Sequence, residues 1–376
     1  MFIEIHILQS FAPSNLNRDD TGNPKDSEFG GVRRARISSQ CIKRAIRQHP
    51  AFTKATAVEN AVRTRWMTRL LVEPLTKEGK SEDQAKAVAD AFAVQYSKME
   101  KGRTSVLLHT SVLLYLSDSE IKAAVRNLIE KWDEIIPTLK DGKSPVIEGL
   151  AKEIFKLFKD RTSAPDIALF GRMLAENPEL NIDAACQVAH ALSTHRVSME
   201  MDFYTAVDEL STEEETGAGM MGVIGFNSAC FYRYARIDWE QLVKNLGGDK
   251  TIAHNTVEGF LRAAVKAVPT GKQNSFAAQN PPDFILGVAR TDGDSWSLAN
   301  AFETPVKPGR DGGLMNASIK SLDSYWGRLI NAYGSQGVTP AALTLVDTVC
   351  LENLKAAAKV NLDEWAKTLL AALPKE

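Results

Sequence analysis

The residues best suited to chemistry lie between Asn17 and His49, in the run NRDDTGNPKDSEFGGVRRARISSQCIKRAIRQH. From Phe29 to Val58 there is no Asp or Glu, while Arg33, Arg34, Arg36, Lys43, Arg44, Arg47 and Lys54 place seven positive charges in thirty residues. The 376-residue chain as a whole carries a formal charge of −2, so this is a local cationic surface on a near-neutral protein. Such a cluster serves to replace the counterions of a polyanion. Ser38 and Ser39 are N-cap candidates for a helix starting at about Gln40, and free N–H groups with the helix dipole favour phosphate oxygens there. Ile42, Ala45, Ile46 and His49 recur at helical spacing as one buried face, and Lys43 and Arg47, four apart, project side by side from another. Gly30 and Gly31 allow a close approach to a ligand or a sharp turn. The competing reading is of arginines that coat a solvated helix and glycines that only make a turn.

A second chemistry is written beside the first. Asp19, Asp20 and Asp26 are three carboxylates that can hold Mg²⁺ for a metal-dependent ribonuclease. Asp19 and Asp20 with Arg18 are equally a turn and ion-pair set, and no histidine is spaced as a base nearby. His190 and His195, five apart, do not align as two ligands on a helix face. Cys41, Cys186, Cys230 and Cys350 form no C-x-x-C pair and read as reduced packing residues of a cytosolic protein, with no zinc site and no cofactor. The N-terminal run MFIEIHILQS has an acid at position 4 and neither a basic region nor a cleavage site, which excludes a secretion signal. No apolar run approaches 18 residues, which excludes a membrane span.

The elements that must position these residues follow from periodicity. Residues 2–8 alternate, with Ile3, Ile5 and Ile7 on one face and Glu4, His6 and Leu8 on the other, predicting a half-buried strand in which His6 is structural. Residues 32–37 read as a strand leading into the capped helix. Residues 53–159 turn helical, with amphipathic stretches at 61–71, 85–96, 121–136 and 146–158 and a strand within 106–116. Near its start Trp66, beside Arg63 and Arg65, is either a base-stacking aromatic or a core one. Residues 184–192 read as a helix. Residues 205–227 are a long acidic and Gly-rich excursion with an apolar tip, the pattern of a mobile arm that inserts somewhere. Further along, 230–237 and 284–288 read as strands and 239–246, 256–267, 315–333 and 354–373 as helices. Lys272 and Gln273 sit in a polar loop, as nucleic-acid contacts or as ordinary exposed residues. The sum is an α+β fold.

Several blocks in order, NLNRDD from Asn15, KDxxFGG from Lys25, RxRISSQ from Arg34, KRAxR from Lys43, DIALxGRM from Asp166, AHALSTH from Ala189, TAVDEL from Thr205, FYRYA from Phe231, ANAFE through Glu303 and SYWGR around Trp326, resemble the CasC family. That family supplies the backbone subunit of the type I-E CRISPR surveillance complex, Cascade. The resemblance implies a modified RNA-recognition-motif-like (ferredoxin-like) palm over 1–52, 166–204 and 228–376, helical fingers over 53–165 and a β-hairpin thumb over 205–227. It implies no catalysis, and partners comprising crRNA, target DNA through the guide, neighbouring copies head to tail, and the large, small and 5′- and 3′-end subunits of Cascade. In the family the 166–173 loop lies against the guide strand with Met173 as a wedge, and Thr205, Val207 and Met221 lie near a displaced nucleotide. The usual aromatic run of an RNA-recognition motif is missing. Phosphate contacts from Arg18, Lys25, Ser38, Gln40, Lys43, Arg44 and Arg47 are therefore expected to carry the binding. Related type III backbone subunits cut RNA with an aspartate in a corresponding loop, which keeps the Asp19 and Asp20 alternative in play.

Overall fold

A computed structural model of the chain describes residues 1–101, 108–206, 220–309, 313–346 and 351–374. The chain divides into two compact units, one formed by Met1–Phe52, Gln187–Asp238 and Val257–Glu376, the other by Thr53–Cys186 and Trp239–Thr256.

The first unit is built on a nine-stranded sheet. Strand β1 (Phe2–Ser14) pairs antiparallel on one side with the 19-residue strand Met220–Asp238 and on the other with Phe284–Arg290, beyond which lies Val338–Thr344. In the other direction the long strand pairs with Ala191–Ser193, then β3 (Val32–Ile37) and β2 (Asp26–Phe29) at the edge. Glu200–Ala206 and Cys186–Val188 also pair with the long strand. Residues 184–192, read as helical, are thus strand at Cys186–Val188 and Ala191–Ser193, because backbone pairing of Leu192 with Tyr232 and Arg36 outweighs their Ala-rich composition.

β1 is buried on both faces, not on one: Glu4, His6 and Leu8 are 0% exposed, and Ile3, Ile5 and Ile7 2%. Leu8 joins a core with Phe302, Leu322 and Trp326, the last two from the helix Met315–Tyr333. Each polar member finds at least one partner inside the protein in place of water. His6 Nδ1 lies 2.9 Å from the Tyr232 hydroxyl, and Glu4 Oε1 accepts from the Tyr234 hydroxyl at 2.7 Å and the Trp296 N–H at 2.8 Å. Burial, with Arg290 nearby, pushes the His6 pKa down to about 3, so the ring is neutral and structural. Alternation that reads as a wet face here conceals a buried polar network.

Two-residue turns need positive φ at both positions to match strand twist. Gly30 (φ +61°) and Gly31 (φ +70°) provide this between β2 and β3, with Phe29 opposite Val32. The helix α1 (Ser39–Gln48) follows, its N-cap Ser38 accepting the Cys41 N–H at 3.4 Å and its Ile42 and Ile46 buried. His49 is the C-cap and half-buried, so it does not continue that apolar face. At the far end the expected helix over 354–373 is a 3-10 turn, Lys355–Ala357, and a shorter helix, Leu362–Leu370. Asn361 caps the latter by accepting the Glu364 N–H at 2.9 Å, which sets its start.

The second unit is helical, with Met67–Lys77, Glu82–Ala93, Asp118–Glu130, Trp132–Thr138 and Pro145–Leu157 closing on Leu71, Phe92, Leu128 and Ile154. Residues 121–136 form two helices, and 61–64 are partly strand (Val62–Thr64) before the helix from Met67. Ser117 and Glu120 form a reciprocal capping box, and Glu120 also takes a buried ion pair from Arg172 at 2.7 Å. Residues 165–170, read as a loop, are the short helix Pro165–Phe170, ended by Gly171 at φ +76°. Asp166 holds it by accepting from the Ala61 N–H at 3.0 Å and the Tyr115 hydroxyl at 2.7 Å. No described helix is long and apolar enough to cross a membrane.

Candidate nucleic-acid interface

The cationic stretch separates into two halves when folded. On β3 the arginines are engaged by the chain itself. Arg33 pairs with Asp26 at 2.7 Å across the hairpin. Arg34 is 0% exposed, and its guanidinium donates to the carbonyls of Phe29 (3.0 Å), Ser193 (3.1 Å), Phe302 (2.8 Å) and Glu303 (3.2 Å). Arg36 donates to the Asp26 carbonyl at 3.0 Å and approaches His190 Nδ1 at 3.3 Å. Arg34 thus ties three separated sequence blocks together, which explains why those blocks occur in one chain. Gly30 belongs to the same knot: a Cβ there would collide with the Glu303 carbonyl, so its close approach is to the protein's own backbone and not to a ligand. Gly31 has open space where a side chain would be.

On α1 and the loop before it the groups are more open to solvent than Arg34. Arg18, Arg44 and Gln40 are exposed, and Lys25, Lys43 and Arg47 are half-buried. Arg18 and Arg44 line a cleft of about 690 Å³ with Asp19, Asp20, Gln48, His49 and the segment 267–271. Lys25 and Arg44 both lie close enough to Cys41 to oppose the upward push of burial on its thiol pKa. The Ser38 hydroxyl is occupied as the helix cap, and the Ser38 N–H donates to Asn17 Oδ1 at 2.8 Å. Asn17, read only as part of a motif, therefore sets where α1 begins. Lys272, at φ +50°, follows cleft-lining Gly271, while Gln273 turns back to donate to the carbonyls of Pro269 (2.9 Å) and Ala278 (3.3 Å).

The three carboxylates do not converge. Asp19 Oδ1 accepts from the Thr21 N–H (2.9 Å), the Thr21 hydroxyl (2.8 Å) and the Asn23 N–H (3.0 Å), and these bonds, the Thr21 hydroxyl first, hold its pKa below the ordinary value. Asp26 is paired with Arg33. Among the described residues no three His, Cys, Asp or Glu side chains are grouped to hold a metal. His190, which spacing alone does not align with His195, lies between the strands Cys186–Val188 and Ala191–Ser193 and reaches the start of α1. Its Nδ1 accepts from the Ser39 N–H at 3.4 Å, and burial, then Arg36 and Lys25, lower its pKa.

The excursion is a two-stranded arm: Glu200–Ala206 runs antiparallel to the first part of Met220–Asp238, with Thr205 opposite Met221. Val207 and the acidic residues Glu213, Glu214 and Glu215 lie outside the described residues. Met201, Phe203 and Val223 share one face and are 54%, 76% and 57% exposed, an apolar surface that only the pairing makes visible. On the opposite face Tyr204 covers Gly222, where a Cβ would strike its ring.

In the helical unit Trp66 is 36% exposed, edge-on to His109 at 5.1 Å, and is absent from the core. Arg63 instead stacks on Tyr115 and Arg65 pairs with Glu100. Met173 is 85% exposed, against the core position its composition suggests.

Fold and cleft together define the class, an α+β protein whose cleft carries Arg18 and Arg44 beside Asp19 and Asp20. The chain belongs to the CT1975-like protein family, which it matches over residues 3–368. It is similar to a chain of a solved structure described as a CRISPR RNA-guided surveillance complex, pre-nicking, with 34% identity, 99% of this chain and 100% of that chain covered, and a TM-score of 0.87. A chain of a second CRISPR RNA-guided surveillance complex is 28% identical, with 99% and 100% covered and a TM-score of 0.79. Among curated proteins none matches.

Proposed function

We propose that this protein is a non-catalytic, guide-RNA-binding backbone subunit of a CRISPR surveillance complex of the type I-E Cascade kind. The observation that carries the reading is likeness over 99% of the chain to chains of RNA-guided surveillance complexes, in a protein whose exposed Arg18 and Arg44 line one cleft. Arg18, Lys25, Lys43, Arg44 and Arg47 supply charge for a phosphate backbone, Gln40 adds a neutral polar contact, Ser38 caps the helix that carries three of these cations, and Lys272 adds one more. Contacts of this type position a strand without reading its sequence, which leaves sequence to pairing between guide and target DNA.

The first unit is then a modified RNA-recognition-motif palm. Its strand β1 is covered on both faces, so bases have no open sheet to stack on there and the rim and arm take over. Several copies line the spacer of a crRNA in the cytoplasm, head to tail, since a repeated binder on one directional strand is a heterologous assembly. Met173 and Thr205 stand near the nucleotides, and the bases between them stay ordered for hybridisation, which lowers its entropic cost.

Size-exclusion chromatography with light scattering, read at two absorbance wavelengths, tests this. A large species carrying RNA of defined length supports the reading. An RNA-free monomer that ignores added guide RNA at low salt refutes it.

A further inference from the structure

The described arm does not leave the sheet freely. At its root a single buried side chain, Asn15, holds both the arm and the cationic loop. Asn15 is 0% exposed, and its Nδ2 donates to the Gly22 carbonyl at 2.9 Å, in the loop carrying Arg18 and Lys25, and to the Gly225 carbonyl at 2.9 Å, on the arm strand. Both hydrogens of one planar amide are thereby used, one on each element.

The surrounding packing leaves no room for a side chain at two glycines. A Cβ on Gly225 would collide with the Asn23 side chain, so the arm root lies directly on the loop. A Cβ on Gly271 would collide with the carbonyls of Leu16 and Asn15, so the segment leading to Lys272 closes on the same point. Phe226 meets Phe276 at 5.7 Å, adding an apolar contact between arm root and that segment. β1 itself is irregular between Phe11 and Ser14, where its register with the long strand shifts, which turns the chain out of the sheet just before Asn15.

We infer that Asn15 is a positioning residue for RNA binding: it fixes the exposed face of Met201, Phe203 and Val223 relative to the phosphate-facing loop, so that one strand meets both. This rests on the RNA-binding reading above. A planar amide with two short bonds resists both translation and twist of the arm root, and preorganisation of that kind lowers the ordering cost of binding. Without it the arm still pairs with its own strand but contributes little to affinity. A residue that merely supported the fold would weaken all RNA contacts alike.

The test is a double-mutant cycle read by equilibrium binding of fluorescein-labelled single-stranded RNA to the full chain, with thermal melting as the control for folding. In the unsubstituted chain Phe203→Ala is expected to weaken binding about tenfold, the range of one aromatic–base stack. In the Asn15→Ala background the same change is expected to weaken it less than about twofold, while Arg47→Ala keeps its full effect in both backgrounds. Asn15→Asp, which sets a carboxylate oxygen against two carbonyls in the same volume, should reproduce the result and serves if the alanine variant does not fold. An equal effect of Phe203→Ala in both backgrounds, or none in the unsubstituted chain that still binds RNA, overturns the inference alone. Failure of the unsubstituted chain to bind RNA overturns the RNA reading and the inference with it.

Discussion

Strand β3 and helix α1 carry three positive charges each and are nearly adjacent in the chain, and the fold uses them differently. Arg33, Arg34 and Arg36 on β3 are taken up by the Asp26 carboxylate, by five main-chain carbonyls and by His190. Arg44 on α1 is exposed over a cleft, with Lys43 and Arg47 on the same helix. The lesson is that a charge run signals a ligand only where the backbone beneath it has already satisfied its own carbonyls. In β3 the nearest polyanion is the protein's own main chain.

The contrast is broken most severely at Arg34. Arg34→Ala is expected to lower stability by about 3–5 kcal/mol, because it strands several buried carbonyls at once. Chemical denaturation followed by tryptophan fluorescence measures it, and the protein that remains folded should keep its RNA affinity. The helix half is sharpened by Lys43→Ala with Arg47→Ala. Stability should shift by less than about 1 kcal/mol, affinity for RNAs of unrelated sequence should fall equally, and the slope of log affinity against log salt should drop by about 1.4, at 0.7 per cation on a single strand. A loss confined to one RNA sequence would refute backbone binding.

Burial divides the histidines as it divides the arginines, and pH reads it. The pKa of His6 is depressed to about 3 in the folded chain, below its unfolded value, so the unfolded chain binds the extra proton. Its contribution is fully present above the unfolded value and is lost as pH falls toward 3, at up to about 1.4 kcal/mol per pH unit. Urea midpoints between pH 7 and 4 measure this slope, and His6→Phe should flatten it. The smallest effect is expected at Asp19, whose turn lies at the surface: Asp19→Ala should leave the urea midpoint almost unchanged. Incubating Asp19→Ala or Asp20→Ala with Mg²⁺ and labelled RNA should show no loss of cleavage, since no cleavage is expected of the native chain; cleavage that vanishes in either variant would reinstate the ribonuclease alternative.

Much of the architecture was legible in the chain. The capped start of α1, strands 32–37 and 284–288, and the helix Met315–Tyr333 each rest on local periodicity and capping chemistry. What misled were elements whose conformation is decided by a distant partner. Residues 186–193 became strand because the long strand and β3 pair with them, and Asp166 ended inside a short helix because Ala61 and Tyr115 supply its hydrogen bonds. In the candidate site the cations of α1 were readable from their spacing, whereas Asn15, Asn17, His190 and Phe203 were not. Each of these acquires its role from a neighbour remote in sequence, and no spacing rule carries that information.

By itself, then, the sequence determined where positive charge accumulates, where α1 starts and that β1 alternates, because all of these depend on neighbours within a turn or a strand. Only the tertiary structure decided which arginines remain outside, that both faces of β1 are buried, that Gly30 accommodates the protein's own carbonyl, and that one asparagine joins arm to loop. Those outcomes depend on what packs against each residue. A buried donor must find an acceptor wherever the chain brings one, and that choice is made only when the sheet closes.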